Sequence, residues 1–437
     1  MSSLNVIKTT EVNFDRCWRQ LRQKLSLESE LVGNQKRLEQ VRQIIAQVRQ
    51  HGDKALAELT AAYDNVQLEP EEFRVSRQAM HQAHRQMDPE LLKALRRSIA
   101  NVRDYQQAVK ISAQPDWTTN GMRLGLRYRP LQRVGVCVPG ASAPLVSTVI
   151  MTVVPAQVAG VEEIVVISSP SYHNSIHPAI LGLCYELNVN EVYRVSGAQA
   201  VAALAFGTRQ IAKVDKIVGP SNWWGQLAKK EVFGLVDIDS FAGPSDVLII
   251  ADDSADPQWL AADMLSQAEH APGSAVLVTD SENLALETAQ QLELQLNQLS
   301  RAEQTRQCVR QDSLAVVAQS MDQVIALANE FAPEHLQVQT KNSDAVAEQI
   351  VNAGAIFIGY LSPVATGDYY AGPSHTLPVG GSSRFFSALS VNDFLKQSSI
   401  ISLNQQALNQ AAADIDTIAL TEGLDAHARS VQIRIKK

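Results

Sequence analysis

The sequence predicts an α/β fold with two blocks of parallel β-sheet, a helical N-terminal region before them and a small C-terminal tail after them. Three observations carry that expectation. From residue 133 onward, short runs rich in Val and Ile recur without polar alternation, as in strands buried on both faces. Those runs alternate with stretches of helical periodicity, which implies right-handed crossover connections. The 437 residues, 45% apolar and 19% charged, can close the cores of two or three folding units.

Taken in order, the residues before 133 read as helical. Leu38, Val41, Ile44, Ile45 and Val48 fall at helical spacing among Arg, Gln and Glu. His51-Gly52-Asp53 closes that helix, and 55–63 begins another. The stretch 89–109 repeats the pattern with Leu91, Leu92, Leu95, Ile99 and Val102. Strands are then expected at 134–138, 163–168, 191–196, 216–218, 247–251, 275–279, 314–318 and 355–359, with helices at 198–206, 223–233, 257–270, 282–299 and 321–331. The uncharged stretch 134–161 is broken by Pro139, Pro144, Pro155, Gly135, Gly140 and Gly160, so it reads as strand, turn and buried helix rather than a membrane span. The expected division is 1–132 plus 241–380 as one α/β domain and 133–240 as a second. A Gly/Ser-rich loop at 380–383 leads into a small, mostly helical segment, 381–437.

Charge and cysteine usage narrow the function. With 38 Lys and Arg against 46 Asp and Glu, the net charge is −8, which argues against a nucleic-acid partner. The terminal Arg434, Lys436 and Lys437 read as a solvated tail. Cys17, Cys137, Cys184 and Cys308 are far apart, so neither a disulfide framework nor a thiolate zinc site is expected. The first 14 residues hold no apolar signal core, and a cytoplasmic home is expected. No glycine-rich dinucleotide fingerprint, P-loop or nucleophile elbow occurs.

The histidines are unevenly placed. His51, His81, His84, His173 and His177 lie in polar stretches and read as surface, whereas His270, His335, His375 and His427 each sit beside an acid, an amide, a glycine or a proline. Gln267 and His270 lie three apart at the end of a helix stopped by Pro272-Gly273, so both face one way and can offer an amide oxygen and an imidazole nitrogen to one metal; a plain helix cap is the simpler alternative. Glu334-His335 follows Pro333 in a turn, where the two can supply a general base and water activation, or simply face solvent. Asp368 and His375 lie in a glycine-flanked aromatic loop after an apolar strand, and loops at the carboxyl ends of strands are where α/β proteins build sites. Glu422 and His427 fall in the tail, where a ligand would clamp the tail to the body. Two His, an Asp and a Gln make a nitrogen and oxygen set that suits zinc, or less specifically manganese or cobalt. Ser245 can donate to a substrate from the turn before strand 247–251. Strand ends at 196–199 and 219–222 can open helices that receive a phosphate.

Together these stretches resemble the histidinol dehydrogenase family over about residues 36–435. The matching motifs are V-P-G-A-S-A-P-L-V-S-T-V-I-M at 138–151, V-D-K-I-V-G-P-S-N at 214–222, A-G-P-S-D-V-L at 242–248, L-S-Q-A-E-H at 265–270, A-P-E-H-L at 332–336, G-D-Y-Y-A-G-P-S-H-T-L-P at 367–378 and E-G-L-D-A-H at 422–427. The resemblance implies an aldehyde-dehydrogenase-like fold with two Rossmann-like halves. It implies zinc, one per subunit, on Gln267, His270, Asp368 and His427, and an acid/base pair in Glu334 and His335. Ser245, His375 and Glu422 become substrate contacts, together with the metal ligands and His335, and Cys137, Gln199 and Asn222 become cofactor positions. It further implies a homodimer in which Glu422 and His427 reach the neighbouring site, and the NAD-dependent conversion of L-histidinol to L-histidine through a bound aldehyde.

The chain departs from the family pattern in four places. Cys137 stands where an aromatic residue is usual, Ala141 replaces the second glycine of P-G-G, Ser221 replaces the glycine of G-P-G-N, and Trp223-Trp224 follow it. All lie in the cofactor region, where a side chain at 221 is expected to crowd a pyrophosphate. The rival readings are a paralogous dehydrogenase of another small polar alcohol and a catalytically weakened homologue.

Overall fold

A computed structural model describes residues 3–28, 35–113, 115–141, 143–241, 243–270 and 273–435. Ser142 and Ala242 of the quoted motifs, the helix-stopping Pro272, and Lys436 and Lys437 lie outside the described residues. Fourteen strands among the described residues form three sheets. In chain order they are β1 (Val6–Lys8), β2 (Trp117–Thr119), β3 (Met122–Pro130), β4 (Arg133–Val138), β5 (Glu163–Ser168), β6 (Glu191–Tyr193), β7 (Lys216–Val218), β8 (Asp237–Ile238), β9 (Ser245–Ala251), β10 (Gly273–Thr279), β11 (Leu314–Val317), β12 (His335–Gln339), β13 (Ala355–Ile358) and β14 (Leu395–Leu403).

The smaller parallel sheet runs β6-β5-β4-β7-β8, a doubly wound order that reverses between β4 and β7. Val134, Val136 and Val138 face the helices Val146–Ala159 and Pro178–Glu186, while Cys137, Val165 and Ile167 face the helix Gly197–Phe206. The larger sheet runs β1-β11-β10-β9-β12-β13, again parallel. Its odd-numbered side chains Val247 and Ile249 pack on the helices Pro257–Ala268 and Glu282–Leu296. Leu248 and Ile250 pack on Phe14–Leu25 and Met321–Phe331. Four apolar layers therefore cover two sheets. The helix Phe14–Leu25 shows how each layer is specified: Phe14, Trp18, Leu21 and Leu25 recur on one face, and burying each such side chain stabilises by roughly 1.5–3 kcal/mol.

Most expected strands and helices occur within a residue or two of their expected ends, and the α/β class holds. Three expectations change. The N-terminal region divides: β1 and Phe14–Leu25 join the large sheet, but Leu38, Val48, Leu56 and Phe73 share a core with the small one, so 1–132 does not go with 241–380 as a block. The segment after 383 is not mainly helical at its start. β14 pairs antiparallel with β3 in a three-stranded sheet before the helices Gln405–Thr421 and Asp425–Gln432. And His335 begins strand β12 rather than standing in an open turn. Among the described residues no helix is long and apolar enough to cross a membrane.

Candidate active site

The amino edge of the large sheet faces the carboxyl edge of the small one across a cleft. Ser245 at the start of β9, Glu334 and His335 at the start of β12, and His270 after the helix Pro257–Ala268 line one wall. Gly219, Pro220 and Asp239 from the small sheet line the other. Ser245, Glu334 and His335 thus sit at the amino ends of large-sheet strands, whereas Asp368 and His375 follow the carboxyl end of β13 in the chain. Asp368, on the short helix Val364–Tyr369, and His375 close the cleft. The His375 loop is tied to the helix Val146–Ala159: Ser374 Oγ donates to the Met151 carbonyl at 3.0 Å, and His375 Nε2 lies 3.4 Å from Thr148 Oγ1. Burial holds the His375 imidazole below its ordinary range, so it is neutral.

Three backbone and side-chain contacts lock Glu334 and His335 to β9. The Glu334 N–H donates to Asp246 Oδ1 at 2.8 Å, the Asp246 N–H donates to Glu334 Oε2 at 3.1 Å, and His335 Nδ1 lies 2.8 Å from the Asp246 carbonyl oxygen. A carbonyl can only accept, so Nδ1 carries a proton, and in the neutral ring the lone pair is on Nε2. Among the described residues that buried Nε2 has no hydrogen-bond partner, and it lies 3.9 Å from Asp368 Oδ1. Glu334 also accepts from Ser245 Oγ at 2.6 Å, and Ser245 in turn accepts from the Gln267 amide nitrogen. Burial pushes the Glu334 carboxyl up to about 8, with the Asp368 charge adding to the effect and the Ser245 and Asp246 hydrogen bonds opposing it. The Asp246 carboxyl beneath it is pushed up to about 7, first by burial and then by Glu334.

Of the four expected metal ligands, His270 and Asp368 line the cleft and Gln267 bonds Ser245 at its wall. Gln267 is 1% exposed, and its amide nitrogen is committed to Ser245, which leaves its oxygen to offer; His270 and Asp368 line the same cleft. No group of three or more His, Cys, Asp and Glu able to hold a metal occurs among the described residues. Glu422 caps Gln405–Thr421 and His427 lies on Asp425–Gln432; both are exposed, and neither lines the cleft. The donor chemistry of Gln267, His270 and Asp368, an amide oxygen, an imidazole and a carboxylate, suits a nitrogen and oxygen cation site.

A second cleft opens at the carboxyl edge of the small sheet, at its topological switch point. It is lined by the ends of β4 and β5, the turn after β6, and Pro220-Ser221-Asn222 after β7. Pro220 lines both clefts. Asn222 caps the helix Trp223–Val232 by accepting from the Gly225 N–H at 3.1 Å. The Ser221 hydroxyl is folded onto Gly225, where a Cβ would meet it at 1.7 Å, so a glycine at 225 makes room for the serine. Cys137 lines the cleft with its thiol pushed up to about 12 by burial, which leaves it an apolar wall rather than a nucleophile. Gln199, 2% exposed, lies behind the lining and donates to Asp64 Oδ2 at 3.4 Å.

Comparison with known proteins settles the relationship. The family model described as histidinol dehydrogenase matches residues 28–435. The chain belongs to the histidinol dehydrogenase family. The "Histidinol dehydrogenase" of Rhodopirellula baltica is 43% identical over 432 residues, 95% of this chain and 93% of its own. "Histidinol dehydrogenase 2" of Nostoc is 46% identical over 398 residues, 91% of this chain and 92% of its own. The crystal structure of histidinol dehydrogenase from Elizabethkingia anophelis superposes with a TM-score of 0.92 at 32% identity, covering 99% of this chain and 98% of that one. An acetylating aldehyde dehydrogenase from Geobacillus thermoglucosidasius shares the fold, with a TM-score of 0.51 at 14% identity, 84% of this chain and 97% of its own. The chain is an oxidoreductase acting on CH–OH groups.

Within this histidinol dehydrogenase-family site, sequence reasoning missed four side chains. Asp246 follows Ser245 directly and stands just before the apolar run 247–251, where a lone acid reads as turn chemistry, but it is the second residue of β9. Lys229 and Asp239 form a buried ion pair whose members lie ten residues apart on a helix and after a strand, so no local pattern joins them. Asp64 reaches the second cleft from the N-terminal helices, and nothing in its neighbourhood signals that.

Proposed function

We propose that the chain oxidises L-histidinol to L-histidine through bound L-histidinaldehyde, in two NAD-dependent steps that complete histidine biosynthesis. The observation that carries this reading is the His335 imidazole, protonated at Nδ1 by its bond to a backbone carbonyl and presenting a buried, unpartnered Nε2 beside Glu334 and Asp368. NAD, bound in the cleft at the carboxyl edge of the small sheet near Cys137 and Asn222, supplies the hydride acceptor. Zn2+, held by Gln267, His270 and Asp368 with His427 of the partner subunit, supplies a template for the substrate imidazole and amine.

The chain's own residues handle the protons. His335 Nε2 takes the substrate hydroxyl proton as the carbon–hydrogen bond breaks. The imidazolium formed keeps its Nδ1–H on the Asp246 carbonyl and is stabilised by Asp368, with Glu334 Oε2 3.6 Å from Nδ1. Glu334, pushed up to about 8 by burial, takes in its ionised form a proton from the water that adds to the aldehyde carbon. The His335 imidazolium returns its proton to the aldehyde oxygen as the hydrate forms, which frees Nε2 to accept a hydroxyl proton of that hydrate in the second oxidation. Leu145, Leu377 and Val379 give the cleft an apolar wall that limits competing water and holds the aldehyde. Ser245 and His375 orient the substrate, and Glu422 of the partner subunit contacts it. The homodimer reading is supported by the tail helices, which carry exposed Ile418, Leu420, Leu424 and Ile433.

The test is absorbance of NADH with purified protein, Zn2+, NAD and histidinol. Two NADH per histidinol are expected, a chelator stops the reaction, and His335→Asn lowers kcat by about 10²–10⁴-fold. Undiminished turnover by His335→Asn removes it as the base. NADH formed from another small polar alcohol and not from histidinol replaces the substrate.

A further inference from the structure

The second cleft contains a carboxylate that does not come from its sheet. In doubly wound sheets that bind a dinucleotide, the acid that meets the adenosine ribose follows the second strand of the βαβ unit. The second strand here is β5, which ends at Ser168 and is followed by Ser169, with no acid. Asp64, the last residue of the helix Asp53–Asp64, occupies that place from outside. Its Oδ1 accepts from Ser169 Oγ at 3.0 Å and from Ser196 Oγ at 2.7 Å, which fixes the carboxylate across the ends of β5 and β6. Among the described residues its Oδ2 meets the Gln199 amide alone, at 3.4 Å, and so keeps capacity to accept from a ligand.

Two neighbours say what that ligand is. Tyr63, the residue before, lines the same cleft 57% exposed and stacks on Trp224 with ring centroids 6.4 Å apart, an aromatic face of the size a purine needs. Among the described residues lining the cleft there is no Lys or Arg, and Arg37 lies over Trp224, 5.9 Å from its centroid and outside the lining, so a ribose phosphate carrying roughly two negative charges at Asp64 would meet a carboxylate and no lining counter-charge.

We propose that Asp64 accepts hydrogen bonds from the adenosine ribose hydroxyls of the dinucleotide and thereby selects NAD over NADP. The N-terminal helix supplies the discriminating acid that the sheet lacks. This inference rests on the reading of the cleft as the NAD site.

The experiment is calorimetric titration of the full-length wild type, Asp64→Asn and Asp64→Ala with NAD and with NADP, alongside a thermal melt of each. For Asp64→Asn, which retains the acceptor for Ser169 and Ser196, the Kd for NAD is expected to rise roughly 10- to 100-fold. The Kd for NADP should change less or fall, so that the preference narrows. Asp64→Ala is expected to narrow it in the same direction. An unchanged NAD-to-NADP ratio in both variants overturns the role of Asp64, whatever their melting temperatures, and leaves the cleft as the NAD site. A wild type that takes up neither dinucleotide overturns the reading of the cleft itself, and this inference with it.

Discussion

Behind His335 stand two buried acids, Glu334 and Asp246, each with a higher proton affinity in the folded chain than in solution. A group raised in this way stabilises the fold while protonated. That contribution is complete below its unfolded value, about pH 4, and is lost as the pH rises through 7 to 8. Asp246→Asn removes one of the two titrations while keeping an acceptor for the Glu334 N–H. The melting temperature of this variant relative to wild type, both with chelator, should therefore be more favourable at about pH 8.5 than at about pH 5.5. A difference independent of pH would show that Asp246 is ionised throughout. Sequence makes Glu334 and His335 visible as a pair by their types alone. It hides Asp246, because burial and the contact between two strand starts 88 residues apart are what give that acid its properties.

At the scale of elements, the turn between the two clefts is held by one ion pair. Lys229, on the helix Trp223–Val232, bonds the Gly219 carbonyl at 3.0 Å and Asp239, while Asp239 accepts from the Gly219 N–H at 2.6 Å. Both side chains are almost fully buried, at 1% and 4% exposure. Lys229→Met leaves a buried carboxylate without its partner and should cost about 3–5 kcal/mol in urea unfolding. A loss below about 1 kcal/mol would mean that water or another cation replaces the lysine. Gly219 itself has φ +95, and a Cβ there would lie 2.4 Å from the Cys137 carbonyl, so the turn also depends on glycine. The buried strands β4, β5, β7 and β9–β11 were legible because both faces are apolar. β12 was not, since Gln337 and Gln339 turn toward Asp263 at 3.0 and 2.7 Å and give a buried strand a polar alternation. β3 and β14 were missed for the opposite reason: their sheet is largely exposed, and Arg, Ser and Gln fill the outward positions.

For the whole molecule, the tail sets the test. Glu422 and His427 stand away from the cleft of their own chain, so a site completed between subunits can be rebuilt from two broken ones. On the proposed dimer with shared sites, co-expressed His335→Asn and His427→Asn chains, each inactive alone, should recover about a quarter of wild-type activity, since half of such dimers would be mixed with one of their two sites intact. No recovery from a verified mixed dimer would place both residues in one chain's site. The two-sheet plan was legible from periodicity, whereas the split of the N-terminal helices between the sheets was not, because helical spacing tells which face is buried and not against what. The parallel pairing of β12 with β9 sets His335 opposite Val247 and so brings the Asp246 carbonyl to the imidazole. Every amino acid carries that carbonyl, so no single side-chain replacement at 246 deletes it. The tautomer of the ring is thereby inherited from strand alignment, and point mutation can retune its basicity more readily than it can move the proton to the other nitrogen.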